Sequence, residues 1–261
     1  ATPPFLHASQ TIKAAEAGKH VLCEKPMALN MDECLRMVES CKRNNVKLMI
    51  GHHMRFKPDN NKIREIISDG LIGDVVLIRA EHSGGYMLSK PDPTAWRLNP
   101  SLGGGGPLMD LGVHCIDLLR FILQKDVVEV AAFTYNVIFS YPVEDTSVVL
   151  MKFENNSCGI VSSCFNIRYP KKILDVYGTE GSILGIGTIG PRSGILKVIT
   201  KKGEETYEFS EMDPYLAELE HFTECIEKDK DPIISGEECL GTMKAVFGAY
   251  ESSRTGKTIK L

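Results

Sequence analysis

The chain has 261 residues and a mass of 28.9 kDa, with 43% hydrophobic and 25% charged residues, which excludes fibrous and disordered classes and provides material for a proper core. Thirty Lys and Arg against 34 Asp and Glu give a net charge of -4 and a pI near 6.0, which excludes nucleic acid and anionic membrane as main partners and favours a small molecule. Eight cysteines form no C-x-x-C pair, so neither a zinc ribbon nor a thioredoxin motif is present, and most sit in apolar runs as reduced core residues.

In chain order, Phe5 to Ala17 reads as a helix closed by Gly18, and His20 to Cys23 as a short strand. Asn30, with Glu33 three positions on, opens a second helix whose expected apolar face is Leu35, Val38 and Cys41. Lys47 to Gly51 is another buried strand. This alternation predicts parallel α/β units, part of a doubly wound sheet. After Pro58 the style changes. A helix from Pro58 to Ser68 stops at Asp69-Gly70, a strand runs from Val75 to Glu81, and a Gly- and Pro-rich loop spans Ser83 to Gly106, a length that usually signals function. Beyond a helix from Pro107 to about Leu123, strands are predicted at 127–136, 146–153, 158–165, 173–177, 195–200 and 205–209. Tight turns at Asn155-Asn156 and Lys202-Gly203 point to an antiparallel sheet. Two final helices start at Asp213-Pro214 and at Ser235, whose Glu238 completes a capping box. The longest apolar stretches are strand-length and no leader pattern opens the chain, so the expected compartment is the cytosol.

Two constellations carry chemistry. Glu24-Lys25-Pro26 follows a buried strand, so the lysine is a positioned charge. Gly103 to Gly106 let the backbone approach another group closely, and Pro107 suits the first turn of the helix behind them. On that helix Asp110 and His114 are four residues apart, on one face, and both can point at one bound molecule. Taken singly, the lysine reads as a loop residue, the D-x-x-x-H as a surface pair or metal half-site, and the glycines as a hinge. Taken together they supply what a dehydrogenase needs around an alcohol carbon. A metal-dependent reading would use Asp110, His114 and one of His52 or His53, but no third ligand stands at a recognisable spacing, so no metal is expected.

These motifs resemble the Gfo/Idh/MocA oxidoreductase family, the group of glucose-fructose oxidoreductase and inositol dehydrogenase. Thr2-Pro3-Pro4-Phe5-Leu6-His7 is similar to the family's T-P-x-x-x-H, Glu24-Lys25-Pro26 to its E-K-P, and Gly51 to Phe56 to its G-x-x-x-R-F. Gly104 through Asp110, His114 and Asp117 is similar to G-G-G-x-x-x-D-x-G-x-H-x-x-D, the most specific of the set. The resemblance implies a Rossmann-like α/β domain followed by an α+β domain with a large, mainly antiparallel open sheet and flanking helices. It implies hydride transfer between NAD or NADP and a hydroxyl carbon of a sugar, inositol or related polyol. Lys25, Asp110 and His114 become the expected catalytic residues, with His114 as general base and Lys25 as a cation that stabilises developing alkoxide, its bond to proline often cis in the family. Thr2, Pro3, His7, Glu24, Lys25, Pro26 and Arg55 are expected to touch cofactor. Trp96, Arg97 and Tyr169 join the catalytic three as expected substrate contacts, and Asp117 is expected to be structural, as a cap or paired with an arginine. A homo-oligomer, dimer or tetramer, is expected.

The family's G-x-G-x-x-G is missing from the start of the chain. Gly185 to Gly190 spell it in number, but Pro191 follows and no helix does, so a turn is predicted there. Residues 1–53 are therefore expected to be a Rossmann remnant lacking its N-terminal half, 54–261 the substrate and oligomerisation domain, and the sequence part of a longer enzyme. Alone it would bind NAD(P) weakly or not at all. The competing expectation is a non-catalytic sugar-binding or assembly module built on the β-rich half.

Overall fold

The computed structural model describes residues 1–85 and 95–261. Gly18, at φ 70°, ends helix α1 (His7–Glu16) and sends the chain into β1 (Val21–Glu24). At the next helix, α2 (Met31–Arg43), the Glu33 N–H donates to Asn30 Oδ1 at 2.9 Å and Glu33 Oε2 accepts from the Leu29 N–H at 3.1 Å, so the predicted start is closed from both sides. Its buried face is Cys34, Met37 and Cys41; Leu35 is 51% exposed, because the stripe runs one residue earlier than expected. β2 (Leu48–Gly51) pairs with β1 in parallel, Glu24 opposite Gly51, so the two strands end level.

Pro58 opens α3 (Pro58–Ser68), and the chain then enters a sheet of nine strands among the described residues, in the order β10-β9-β8-β7-β3-β6-β5-β4-β11. The strands are β3 (Val75–Ser83), β4 (Val127–Tyr135), β5 (Thr146–Phe153), β6 (Cys158–Cys164), β7 (Ile173–Gly178), β8 (Gly181–Ile186), β9 (Ile195–Thr200), β10 (Gly203–Glu208) and β11 (Ile259–Lys260). All neighbours are antiparallel except β3 and β6, where Leu77 lies opposite Cys158. The sheet is thus mainly antiparallel, as expected, and its one parallel pair arises because β3 arrives from α3 and enters mid-sheet rather than through a hairpin. Gly185 and Ile186 close β8, and Gly187 and Gly190 turn at φ 72° and 121°, so the G-x-G-x-x-G spelling is a turn.

One face of this sheet packs on α4 (Val113–Leu123) and α6 (Gly236–Thr255), every residue of α4 being buried. The other face is open, with Phe133 at 71% and Leu150 at 50% exposure. α5 (Pro214–Glu227) is capped by Asp213, and the Glu238 N–H at the start of α6 donates to Ser235 Oγ at 3.2 Å. The helix expected from Pro107 is wound as a π-helix over Leu108–Gly112 before α4 begins. Ahead of it, Trp96–Leu98 form a 3-10 turn and Pro100–Gly103 one helical turn capped by Asn99. Of the expected long loop, residues 86–94 lie outside the described residues.

Candidate active site

Lys25 stands where β1 has just ended, and its peptide bond to Pro26 is cis. His7, buried at the head of α1, sets its two ring nitrogens against the carbonyl oxygens of Pro26 (2.8 Å) and Thr2 (2.9 Å), tying the chain before α1 to the turn that carries Lys25. The Lys25 ammonium donates to the Asp110 carbonyl at 2.6 Å and to Asp110 Oδ1 at 2.8 Å, from a half-buried position. Arg97, its guanidinium over the Trp96 ring at 4.1 Å, reaches the other carboxylate oxygen at 3.6 Å. Asp110 thus lies between two cations, contributed by the strand end and by the turn after the long loop.

The π winding changes the helical argument made from spacing. Asp110 sits within the π turn and His114 in the first α turn after it, so they are not simply stacked on one α-helical face. Asp110 nevertheless bonds Lys25 directly, and the Lys25 ammonium is near enough to lower the pKa of His114. The loop before them is held from the far side. Glu144, buried on the β4–β5 connection, accepts from the N–H groups of Gly106 (3.0 Å) and Leu108 (3.2 Å) and from the Tyr250 hydroxyl (2.8 Å). A Cβ on Gly106 would lie 2.0 Å from the Glu144 carbonyl oxygen, and one on Gly105 would lie 2.0 Å from Tyr250 Oη, so both positions demand glycine on packing grounds.

Around His114 the structure gathers three further histidines. Ring centroids of His53, His52 and His82 lie 5.2, 5.7 and 6.0 Å from it. Nδ1 of His52, His82 and His114 and Nε2 of His53 are sealed from solvent without a hydrogen-bond partner. Buried polar atoms normally find partners, so four orphan nitrogens in one cluster mark spare capacity rather than a satisfied core. Burial pushes the His52 and His82 imidazoles down to about 4 and His53 to about 3. His114 is held well below its usual value, first by burial and then by the Lys25 ammonium, so it is neutral and able to accept a proton. Glu218 of α5 lies under this cluster and is pushed up to about 8 by burial and by Glu24 and Asp117. Among the described residues no group of His, Cys, Asp and Glu is arranged to hold a metal ion.

Arg55, expected at the cofactor, is buried, donating from Nε and Nη2 to the two Asp117 carboxylate oxygens at 2.8 and 2.6 Å and from Nη2 to Glu238 at 3.1 Å. Asp117 is the structural residue expected and is held down to about 2, burial being outweighed by Arg55. Thr2, His7 and Glu24 line a cleft along β1, next to Pro3 at the first turn. Pro26, Trp96, Arg97 and Asp110 line a second, narrow one. Tyr169, on the β6–β7 connection, stands 87% exposed. Reading the sequence missed His53 and His82 as a set with His114. The available signals were the His52-His53 doublet after β2 and a histidine at the end of β3, just before the long loop.

Two family descriptions match the chain: an oxidoreductase family with an NAD-binding Rossmann fold over residues 1–52, and a GFO/IDH/MocA C-terminal domain over residues 60–184. The chain is 28% identical over its whole length to D-xylose 1-dehydrogenase [NADP(+)] of Haloarcula marismortui, covering 73% of it. It is 27% identical to myo-inositol 2-dehydrogenase of Thermotoga maritima over 98% of the chain and 76% of that protein. The crystal structure of aldose-aldose oxidoreductase from Caulobacter crescentus complexed with glycerol superposes with a TM-score of 0.92 at 30% identity, covering the whole chain and 78% of that one.

Proposed function

This chain belongs to the GFO/IDH/MocA oxidoreductase family, and from that premise we propose that it transfers a hydride between NAD or NADP and a hydroxyl-bearing carbon of a sugar, inositol or related polyol. Its relatives are named for such reactions on D-xylose and myo-inositol. The observation that carries the reading is the Lys25 ammonium, bound twice by Asp110, whose charge helps hold the His114 imidazole neutral while its Nδ1 is buried without a partner.

The residues present fit one side of a dinucleotide site. β1 and β2 end level at Glu24 and Gly51, the carboxyl ends of parallel strands where open α/β sheets bind ligands, and the cleft lined by Thr2, His7 and Glu24 borders them. Thr2, Pro3, His7, Glu24, Lys25 and Pro26 would hold the cofactor there. When bound, it supplies the nicotinamide carbon that takes the hydride. His114 Nδ1 is sealed, which leaves Nε2 to take the hydroxyl proton as the carbon loses its hydride. Lys25 donates to the same oxygen and stabilises the charge that develops on it, while Asp110 fixes the ammonium and binds a neighbouring hydroxyl. Trp96 and Arg97 close the sugar side of the cleft. Turnover of a panel of pentoses, hexoses and inositols by the whole protein, with Lys25→Ala and His114→Ala beside it, tests this. Full turnover in either variant removes that residue from the mechanism.

We also assign residues 1–53 to the cofactor domain and 54–261 to the substrate domain. The open sheet face carrying Phe133, Leu150 and Ile186 suits the contact of a dimer or tetramer. Light scattering of wild type and Phe133→Asp checks that contact. No helix among the described residues is long and apolar enough to cross a membrane. All eight cysteines are free and seven are buried, which supports placement in the reducing cytosol.

A further inference from the structure

A proton taken by His114 at Nε2 leaves a cation sealed beside the Lys25 ammonium, so the proton on Nδ1 needs an acceptor before the next turnover. Three rings surround it, and two of them lead nowhere. His52 faces Asp117 at 3.6 Å with one nitrogen and the Cys239 thiol at 3.8 Å with the other. His82 has its Nδ1 sealed, its ring centroid is the farthest of the three from His114 at 6.0 Å, and its pKa is lowered by burial and by the charge of Lys172. His53 is different. Its Nε2 is sealed without a partner, its ring centroid lies 5.2 Å from that of His114, and its ring stacks at 4.4 Å on Tyr215, which is 44% exposed.

We propose that His53 is the proton relay of this site, carrying the proton from His114 Nδ1 out to solvent beside Tyr215. The rings stand edge to face at 5.2 Å with planes at 71°, each carries one buried nitrogen without a partner, and a separation of that size leaves space for one bridging water between them. The step balances. The substrate O–H proton goes to His114 Nε2, the Nδ1 proton of that imidazolium goes to His53 Nε2, and His53 Nδ1 gives its own proton to solvent. The hydride electron pair leaves separately with the carbon's hydrogen. Reduction runs the same path inward. Tyr215 shields the outer side, so small buffer molecules reach His53 only where the ring is removed. His53 acts through His114 and touches no substrate, so a loss of turnover alone would not identify its role.

The inference rests on the reading of His114 as base, and the test separates the two. On the whole protein, kcat is measured at low and high imidazole for wild type, His53→Gln, His53→Ala and His114→Ala, with unfolding midpoints recorded for each. The relay predicts a kcat lowered about tenfold in both His53 variants at unchanged KM, restored by imidazole in His53→Ala, and independent of imidazole in the wild type. A His53→Gln enzyme with wild-type kcat in weak buffer overturns the relay, as does a loss in His53→Ala that imidazole does not restore. A His114→Ala enzyme that turns over normally overturns the base assignment and the relay with it. Loss in His114→Ala beside full activity in His53→Gln overturns the relay alone.

Discussion

Helix α4 and the π turn before it carry two charge clusters that differ in how completely they are satisfied. At the Asp117 level, Arg55 meets both carboxylate oxygens, Thr242 adds a bond at 3.1 Å, and Arg120 bridges to Glu238 and Asp126. Buried charges are paired, and the cluster fastens α4 to α6 and to the turn after β2. One turn earlier, around His114, four imidazole nitrogens are sealed without partners and the Lys25 side chain keeps 15% of its surface open to solvent. On the function proposed above, similar residue types one helical turn apart do different jobs: where hydrogen-bonding capacity is used up the cluster holds the fold, and where it is left over a reactant is accommodated.

That contrast can be broken at either end. The largest expected effect is at the satisfied end: Asp117→Ala strips the buried Arg55 of its two-pronged partner, leaves it only the part-exposed Glu238, and should cost about 3–5 kcal/mol of stability in urea unfolding. At the other end Lys25→Ala should lower kcat at least roughly a hundredfold, about 2.7 kcal/mol of barrier, with an unfolding midpoint close to wild type. A Lys25 variant that unfolds, or an Asp117 variant that stays stable and only loses activity, would reverse the assignments.

A pH series sharpens the same contrast. His52, His53 and His82 have folded values of about 4, 3 and 4, below the 6.5 of the unfolded chain. The stability they allow is therefore fully present above pH 6.5 and lost as pH falls toward 4, by up to about 1.4 kcal/mol per pH unit for each ring. Glu218, raised from 4.5 to about 8, acts the other way over pH 4.5 to 8 and subtracts one such slope. Urea midpoints from pH 7 to 5 should fall steeply, and less steeply in His82→Gln. The smallest effect expected is Tyr250→Phe, which removes one bond to Glu144 behind the glycine run and should cost about 1 kcal/mol.

Much of this was legible from residues alone, because the decisive signals are local. The run E-K-P after an apolar tetrapeptide singled out Lys25, the glycine run singled out the segment of Asp110 and His114, and the structure brings the two segments together through the bond of Lys25 to Asp110. Pro58, Asp213-Pro214 and Ser235 marked helix starts that the structure confirms. What stayed hidden depends on packing across the chain. Arg55 reads as a site residue in sequence because the partner that consumes it, Asp117, is 62 positions away. His82 joins His114 only because β3 enters the sheet beside β6 and packs under α4. β8 was missed because Gly181 and Gly185 weaken its pattern, yet Ile183 is fully buried there.

The π turn at Leu108–Gly112 has a bearing on how this segment tolerates insertions and deletions. A π turn holds one residue more than the α turn it replaces, so everything before it is rotated by about 100° from where a continuous α-helix would set it. Removing Leu111 would let the segment rewind into regular α-helix with its hydrogen bonds intact and Asp110 swung away from Lys25. Length in these five residues therefore acts as a phase setting between carboxylate and imidazole, and a single deletion is expected to leave a folded protein in which Asp110 no longer meets Lys25.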